Sequence, residues 1–380
     1  MHAVADTSNT AAISKRCAAQ LGYVDDPFAC WFDRSHTRCA PIINRGTFVR
    51  VAAIDAVCDQ FAPPARAPGD DDLGAVERQI LSLGAGLDTR AWRMRHAGCR
   101  LARYVEVDLP AVCDRKLHVL RGQRARDARG ASAAPAADDA EGAACLLASR
   151  ADALVSADLS NLDSLRAALL EARFDPRLPT LVLIECVLVY MAPDAGSALL
   201  RFLAGYLSDA ACLAYEMIRP DDAFGRQMRA NLEARGLRIP GIDGCTDTRA
   251  HEARFAQCGW SGCRAVDMLH WYEHVLPRAE RQRVERVEWL DELEEWKLLL
   301  SHYCFVLAAL PHEVGAHSGW AAGLDWATAR PAIGADVAPP PPPRAAAPPA
   351  TSIAASCGRS ANDRPDRAPL PTNESASERE

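Results

Sequence analysis

Residues 80–90 read ILSLGAGLDTR. An apolar run ends abruptly at Gly84 and Gly86, and it is followed by an acid, Asp88, which we expect to cap the next helix. The pattern predicts a buried strand that enters a tight turn, where glycine permits positive φ and a close approach of the backbone to a ligand. In open α/β sheets, ligands bind at this place, outside the carboxyl end of a strand. The glycines alone leave one alternative open, a turn that binds nothing.

Strand-like and helix-like segments alternate along the rest of the chain. The predicted strands are 79–83, 103–107, 153–157, 180–184, 212–215, 264–268 and 303–309. Helical periodicity follows most of them, at 111–120, 162–172, 195–207 and 222–235, and 270–300 also reads as helical. Continuous apolar segments such as LVLIECVLVY (181–190) are typical of strands buried on both faces of a parallel sheet. The alternation predicts a doubly wound α/β fold.

Differences in composition divide the chain into three regions. Residues 1–70 read as mostly helical and precede the first predicted strand; the family resemblance given below implies that they are an N-terminal helical lid. Residues 71–326 are the predicted α/β domain, interrupted at 122–144 by a low-complexity insertion rich in small and charged residues. Residues 327–380 are rich in alanine and proline, which predicts a disordered tail with a polyproline II segment.

Charge and cysteine usage exclude several classes of protein. The 380 residues are 49% hydrophobic, which is ample for a packed core. The net charge of −7 argues against binding to a nucleic-acid backbone, because that requires a surplus of Lys and Arg. The 14 cysteines include no CxxC pair, and no signal peptide or membrane-length apolar run is visible. We therefore expect a cytoplasmic protein, and, since nothing indicates a symmetric interface, a monomer.

Acidic residues close the next two predicted strands. Asp108 lies about 20 residues after Gly86, where nucleotide-binding α/β folds carry an acid that binds ribose hydroxyls. Glu106 is the alternative, because alternation places it on the same side of the strand. Asp158 ends the third strand, and we expect it to bind an adenine amino group while Ser160 caps the helix that follows. Capping by Asp158 itself is the competing interpretation.

A fourth strand adds a carboxylate inside an apolar run. An unpaired charge at Glu185 would be costly there, which indicates a functional or a structural partner. We expect Glu185 and Tyr190 to face the cleft. Thr89 occupies the place of the third glycine in the dinucleotide fingerprint, and no Walker lysine is present to neutralise a pyrophosphate. The pattern favours S-adenosylmethionine, a nucleoside without phosphate whose sulfonium cation tolerates neighbouring acids.

At these residues the sequence resembles the leucine carboxyl methyltransferase family. The resemblance covers roughly residues 14–310, and its most specific stretches are VDLPAVCDRK (107–116) and ECVLVYM (185–191). Members of this family methylate the C-terminal leucine carboxylate of the protein phosphatase 2A catalytic subunit. The resemblance implies a Rossmann-like methyltransferase sheet of about seven strands, the last antiparallel, together with a helical lid and helical insertions.

The resemblance also implies roles for individual residues. The implied cofactor contacts are Lys15, Arg50, Gly84, Gly86, Asp108, Asp158, Leu159 and Glu185. Lys15 and Arg50 would hold the methionyl carboxylate of the cofactor. Glu185 would contact the methionyl amino end. Tyr190 would lie near the transferred methyl group, and with Arg50 it is the implied catalytic pair.

This chemistry requires few catalytic groups. A C-terminal carboxylate has a pKa of about 3.5 and is already ionised at neutral pH, so no general base is needed. Arginine is well suited to holding carboxylates, and Arg16 and Arg45 are alternatives to Lys15 and Arg50 for this task. Two other functions stay open. One is methylation of a small molecule or of a wybutosine precursor in tRNA, and the other is binding of the phosphatase without catalysis.

Two weaker patterns point to structure rather than function. His270 and His274 have the spacing of paired metal ligands on a helix, but no third ligand lies near them in sequence, so we expect no metal. Trp289 and Trp296 are seven residues apart in a stretch of mixed charge, which predicts the buried stripe of an amphipathic helix, with a wall of the substrate site as the alternative.

Overall fold

A computed structural model describes residues 2–35, 37–64, 77–130, 151–310 and 324. Its strands form one sheet in the order β3-β2-β1-β4-β5-β7-β6. The strands are β1 Gln79–Leu83, β2 Arg103–Asp108, β3 Ala153–Ser156, β4 Thr180–Glu185, β5 Ala210–Met217, β6 Ser261–Asp267 and β7 Tyr303–Ala309. The first five strands pair in parallel, and β7 is antiparallel to both β5 and β6. The predicted α/β sheet with an antiparallel last strand is confirmed.

Helices cover the sheet and precede it. They are α1 His2–Gln20, α2 Pro41–Phe61, α3 Arg90–His96, α4 Pro110–Gly130, α5 Leu162–Glu171, α6 Pro193–Tyr206, α7 Ala223–Ala234, α8 Thr248–Gln257, α9 Met268–His270, α10 Arg278–Glu285 and α11 Leu293–Ser301. The side chains of Asn161, Asp222 and Asp247 cap α5, α7 and α8 by accepting a bond from a backbone N–H of the first turn.

Three regional predictions differ from the structure or lie partly outside it. Helix α4 continues through 122–130, so this part of the predicted insertion is helical, and 131–144 lies outside the described residues. The tail 327–380 is also outside them. The stretch 270–300 is a series of short helices rather than one, because Pro277 and the segment between α10 and α11 interrupt it. That the helices of residues 1–70 act as a lid stays a prediction.

The central strands are buried on both faces, as their apolar sequences predict. Leu181 and Leu183 of β4 pack into a hydrophobic cluster with α2, while Val182 and Ile184 pack into a second cluster with α5 and α6. The apolar run 181–190 is nevertheless not one strand. It leaves the sheet after Glu185, passes through Cys186 with φ +61°, and forms a 3-10 turn at Leu188–Tyr190.

The tight turn predicted after β1 is present, and both of its glycines have positive φ. Gly84 has φ +66° and donates its N–H to the carbonyl of Val107 at 2.8 Å, while Gly86 has φ +56°. A Cβ atom on Gly84 would lie 2.4 Å from Cγ2 of Val187. Glycine is therefore required here by the backbone conformation and by the packing of the turn that follows β4.

We predict that Gly84→Ala lowers the free energy of unfolding by at least about 1–3 kcal/mol, the cost of a side chain in this dihedral region. Guanidinium denaturation measures the change. Gly205→Ala is the matched control, because Gly205 lies in α6 with open space around it and helical alanine is favoured by about 0.5–1 kcal/mol. Val187→Ala should recover part of the loss, and a Gly84→Ala variant as stable as the wild type would contradict the account.

Candidate active site

A cavity of about 870 Å³ opens at the carboxyl ends of the parallel strands. All the residues assigned to the site from the sequence lie on its wall: Lys15, Arg50, Gly84, Gly86, Asp108, Asp158, Leu159, Glu185 and Tyr190. They come from two N-terminal helices and from the ends of four strands. The parallel sheet brings them together because the carboxyl ends of its strands meet at one edge.

Glu185 and Asp88 form the centre of a buried ionic cluster. Lys15 Nζ lies 3.1 Å from Asp88 Oδ1 and 3.3 Å from Glu185 Oε1, and Arg50 Nε lies 2.5 Å from the same Glu185 oxygen. Arg90 Nη1 completes the cluster, 2.5 Å from Asp88 Oδ2 and 3.5 Å from Glu185 Oε2. Two carboxylates thus share three cations from α1, α2 and α3.

This arrangement determines the ionisation of both acids. Burial opposes the charged form of Glu185, but Arg50, Lys15 and Arg90 outweigh it and lower its pKa to about 2. Burial likewise opposes ionisation of Asp88, and the neighbouring cations hold its pKa well below the usual range. The sequence-based interpretation of Asp88 as a cap for α3 is wrong, because Thr89 occupies the cap position and Asp88 is an ion-pair partner.

The cluster extends into a second layer that ties α2 to α3. Arg90 Nε lies 2.9 Å from Asp55 Oδ1, and Arg93 Nη1 lies 2.5 Å from Asp55 Oδ2. Arg90 is 1% exposed, yet its role was not visible in sequence. The only available signal was its place two residues after Asp88, which does not reveal partners on distant helices.

An aromatic wall adjoins the charged cluster. The guanidinium of Arg50 lies over the ring of Tyr215, 4.9 Å from its centroid, and Tyr215 stacks on Tyr303 with centroids 5.3 Å apart. Both tyrosines line the cavity with Tyr190. Burial raises the pKa of the Tyr190 phenol above its ordinary value, so it keeps its proton at neutral pH. Tyr215 and Tyr303 carry no motif that distinguishes them from core residues in sequence.

The two acids of the second strand have different surroundings. Asp108 faces the cavity and accepts hydrogen bonds from the backbone N–H groups of Gly86, at 2.6 Å, and Leu109, at 2.7 Å. Burial raises the pKa of Asp108, and these two bonds oppose the rise. Glu106 is 2% exposed, lies 2.7 Å from Lys116 Nζ and is absent from the cavity wall among the described residues. The choice of Asp108 over Glu106 agrees with this placement.

Asp158 lies on the cavity wall, and its side chain accepts hydrogen bonds from Ser160, the residue that was expected to cap α5. Its Oδ1 accepts bonds from the backbone N–H of Ser160 at 2.9 Å and from the Ser160 hydroxyl at 2.6 Å. The cap of α5 is Asn161, whose side chain accepts from Ser164 N–H. The expectation that Ser160 caps the helix is therefore wrong, because the helix begins one residue later.

The alternative carboxylate-binding bases are engaged elsewhere. Arg16 pairs with Asp33 at 2.7 Å, and Arg45 Nη2 donates to the carbonyl of Glu288 at 3.0 Å. Neither lines the cavity. Two arginines that were not singled out from the sequence, Arg235 and Arg238, follow α7, are exposed and line the cavity.

The residues of the two weaker sequence patterns are not among the described residues of the cavity wall. The rings of His270 and His274 lie 4.7 Å apart, and the described part of the chain contains no group of three or more His, Cys, Asp or Glu able to hold a metal. Trp296 is buried in α11, but Trp289 is 85% exposed, so the predicted stripe is wrong for Trp289, which lies between two helices. Over the same described residues, no helix is both long and apolar enough to cross a membrane.

Comparison with known proteins identifies relatives over most of the chain. The Arabidopsis thaliana leucine carboxyl methyltransferase 1 homolog is 36% identical, over 80% of this chain and 89% of that protein. The Rattus norvegicus leucine carboxyl methyltransferase 1 is 34% identical over the same shares. The Homo sapiens tRNA wybutosine-synthesizing protein 4 is 38% identical over 83% of this chain, which spans only 45% of that protein.

Solved structures resemble this fold more distantly. A DUF574 family protein from Streptomyces avermitilis aligns with a TM-score of 0.46 and 16% identity, over 78% of this chain and 96% of that chain. Human N-acetylserotonin methyltransferase aligns with a TM-score of 0.36 and 12% identity, over 75% of this chain and 59% of that chain. Similarities at this level carry no argument about substrate.

The family model for leucine carboxyl methyltransferase matches residues 4–204. This range contains every residue assigned to the site from the sequence, from Lys15 to Tyr190. The enzyme relatives extend the agreement to about four fifths of the chain. The chain belongs to the leucine carboxyl methyltransferase family and is an S-adenosylmethionine-dependent carboxyl methyltransferase.

Proposed function

We propose that the protein methylates the α-carboxylate of the C-terminal leucine of the protein phosphatase 2A catalytic subunit, in the cytoplasm. The product is a methyl ester, which removes a negative charge from the phosphatase tail and thereby regulates its assembly. The observation that carries the proposal is the convergence of all nine assigned residues on one cavity. The similarity extends over 89% of the length of two relatives. One is named leucine carboxyl methyltransferase 1 and the other its homolog, and these names support this substrate.

The residues on the cavity wall suit the cofactor. In this assignment Lys15 and Arg50 hold the methionyl carboxylate and Glu185 the amino group, while Asp108 accepts from the ribose hydroxyls. Asp158 and Leu159 bind the adenine, and Gly84 and Gly86 keep the backbone close. Within the described residues, the guanidinium of Arg50 bonds Glu185 through Nε, and its remaining N–H groups are donors that suit a carboxylate. When bound, S-adenosylmethionine supplies an electrophilic methyl group on a sulfonium cation.

The chain's own residues then have to position and desolvate the substrate. The leucine carboxylate is ionised at neutral pH, with a reference pKa of about 3.5, and attacks without a base. Tyr190, which stays protonated, donates a hydrogen bond that orients this carboxylate, and Arg50 offsets the negative charge nearby. The rings of Tyr215 and Tyr303 exclude water. Positioning of this kind contributes on the order of 7–11 kcal/mol to a bimolecular reaction.

One observation favours a second candidate, methylation of a wybutosine precursor in tRNA. The human tRNA wybutosine-synthesizing protein 4 is 38% identical to this chain. The net charge of −7 weighs against it, because binding to a tRNA backbone is favoured by a surplus of basic residues. Methylation of a small carboxylate, and binding of the phosphatase as a monomer without turnover, are the remaining alternatives.

We predict that Arg50→Ala weakens binding of S-adenosylmethionine by about 10- to 100-fold, since a hydrogen bond to a charged group contributes about 1.5–3 kcal/mol. Isothermal titration calorimetry measures the affinity. Arg45→Ala is the matched control, because it removes an arginine from the same helix outside the cavity and should leave the affinity unchanged. Unchanged affinity in Arg50→Ala would remove Arg50 from the cofactor site.

The substrate is tested with radiolabelled S-adenosylmethionine. We expect base-labile label on the purified phosphatase catalytic subunit and none on the same subunit without its terminal leucine. Total tRNA serves as the competing substrate in a parallel reaction. Label that ignores the leucine deletion would refute the proposal, label on tRNA would support the second candidate, and label on neither would favour a different acceptor or a non-catalytic role.

A further inference from the structure

A further buried carboxylate, that of Glu216, lies beside the cavity but not on its described wall. Glu216 is 1% exposed and belongs to β5. Its Oε1 accepts hydrogen bonds from the N–H groups of Val187 at 3.1 Å and Leu188 at 2.8 Å, and its Oε2 accepts from Val189 at 3.0 Å. Within the described residues, no ion pair to Glu216 is found. Burial raises the pKa of Glu216 to about 7, and the three backbone donors oppose this rise because they favour the ionised form.

These donors belong to the turn that carries Tyr190. A 3-10 turn leaves its first N–H groups without partners inside the turn, and Glu216 supplies acceptors for them. Cys186, immediately before the turn, has φ +61°, a strained conformation for a residue with a side chain. Such a conformation persists only where surrounding contacts hold it, and the carboxylate of Glu216 is one of these contacts.

The opposite side of the turn is held by close packing. A second 3-10 turn, Pro240–Gly244, approaches so closely that a Cβ atom on Gly241 would lie 2.0 Å from the carbonyl oxygen of Leu188. The turn is thus held between a carboxylate from β5 and the backbone of Gly241. Neither Glu216 nor Gly241 is among the described residues of the cavity wall.

Both ends of the turn reach the cavity. Val187 packs where Gly84 has no side chain, and Tyr190 lines the wall. We propose that Glu216 is a positioning residue: its carboxylate fixes the turn 187–190 and thereby holds Tyr190 at the site of methyl transfer. The inference rests on the proposed function for the role of Tyr190 and for the turnover measurement, but the role of Glu216 in holding the turn does not depend on it.

Glu216→Gln tests the proposal. Glutamine has the same shape, but it presents an NH₂ group to a turn that offers only N–H donors. We expect kcat with the phosphatase subunit to fall about 10- to 100-fold, because small misplacement of a catalytic group has effects of this order. Affinity for S-adenosylhomocysteine in calorimetry should stay within about threefold, which is under 1 kcal/mol. Hydrogen exchange at the amides of 187–189 should accelerate.

Glu252→Gln is the matched control. Glu252 also accepts a backbone N–H, from Ala265 at 2.7 Å, but it lies on α8 outside the cavity wall. This variant should keep the wild-type kcat and the wild-type exchange rates at 187–189. Equal losses in both glutamine variants would show a general effect of removing a carboxylate and would overturn the proposal.

A double-mutant cycle with Tyr190→Phe separates positioning from stability. If Glu216 acts through Tyr190, Glu216→Gln should cost little further kcat in the Tyr190→Phe background, because coupled residues are not additive. Additive losses would overturn the proposal, as would a loss confined to cofactor affinity.

The kcat of a second variant and the hydrogen exchange of the turn test the same role of Glu216. Should Glu216→Gln fail to fold, Gly241→Ala displaces the same turn from its other side and should give the same selective loss of kcat. A Gly241→Ala variant with wild-type kcat would then overturn the proposal. Hydrogen exchange needs no phosphatase, so unchanged exchange at 187–189 in Glu216→Gln overturns the role of Glu216 even where the phosphatase proves not to be the substrate.

Discussion

The burial of the Glu185 carboxylate is the constraint on which the site depends. A charge at the end of a central strand would cost several kcal/mol without partners. Lys15, Arg50 and Arg90 supply them and lower the pKa of Glu185 to about 2 despite its burial. Each cation comes from a different helix. The packing of α1 and α2 against the sheet therefore stabilises the ionised form of Glu185, and the ionised carboxylate in turn stabilises this packing. Removing one partner of such a cluster typically costs about 3–5 kcal/mol.

Two neighbouring strands carry buried carboxylates that are stabilised in opposite ways. Glu185 of β4 pairs in register with Tyr215 of β5. Glu216, which follows Tyr215 in the chain, points to the opposite face of the sheet because side chains alternate along a strand. The ionised form of Glu185 is stabilised by the cationic side chains of Lys15, Arg50 and Arg90. Glu216 instead accepts hydrogen bonds from backbone N–H groups. The first carboxylate therefore depends on the packing of three helices, and the second depends on the conformation of one turn.

The sequence predicted those parts of the structure that follow from one local pattern, such as an apolar run that ends at a glycine. The bounds predicted for β1 agree with the structure because a continuous apolar run ends at Gly84, and the sheet then brings Asp108 and Glu185 to one edge. Partnerships between distant segments were not readable in this way. Asp88 looked like a local cap because its cationic partner Lys15 lies 73 residues away in the chain. Trp289 looked like a core residue because the break between two helices carries no strong sequence signal.

The charges in and beside the cavity differ in how strongly their neighbours constrain them. Arg90 and Asp88 are almost fully buried and share partners, so one substitution there disturbs several charges. Arg235 and Arg238 also line the cavity, but they are exposed and lie outside that cluster. Replacing either of them leaves no buried charge of the cluster unpaired. The physics of burial therefore favours substitution at Arg235 and Arg238 over substitution at Asp88 and Arg90.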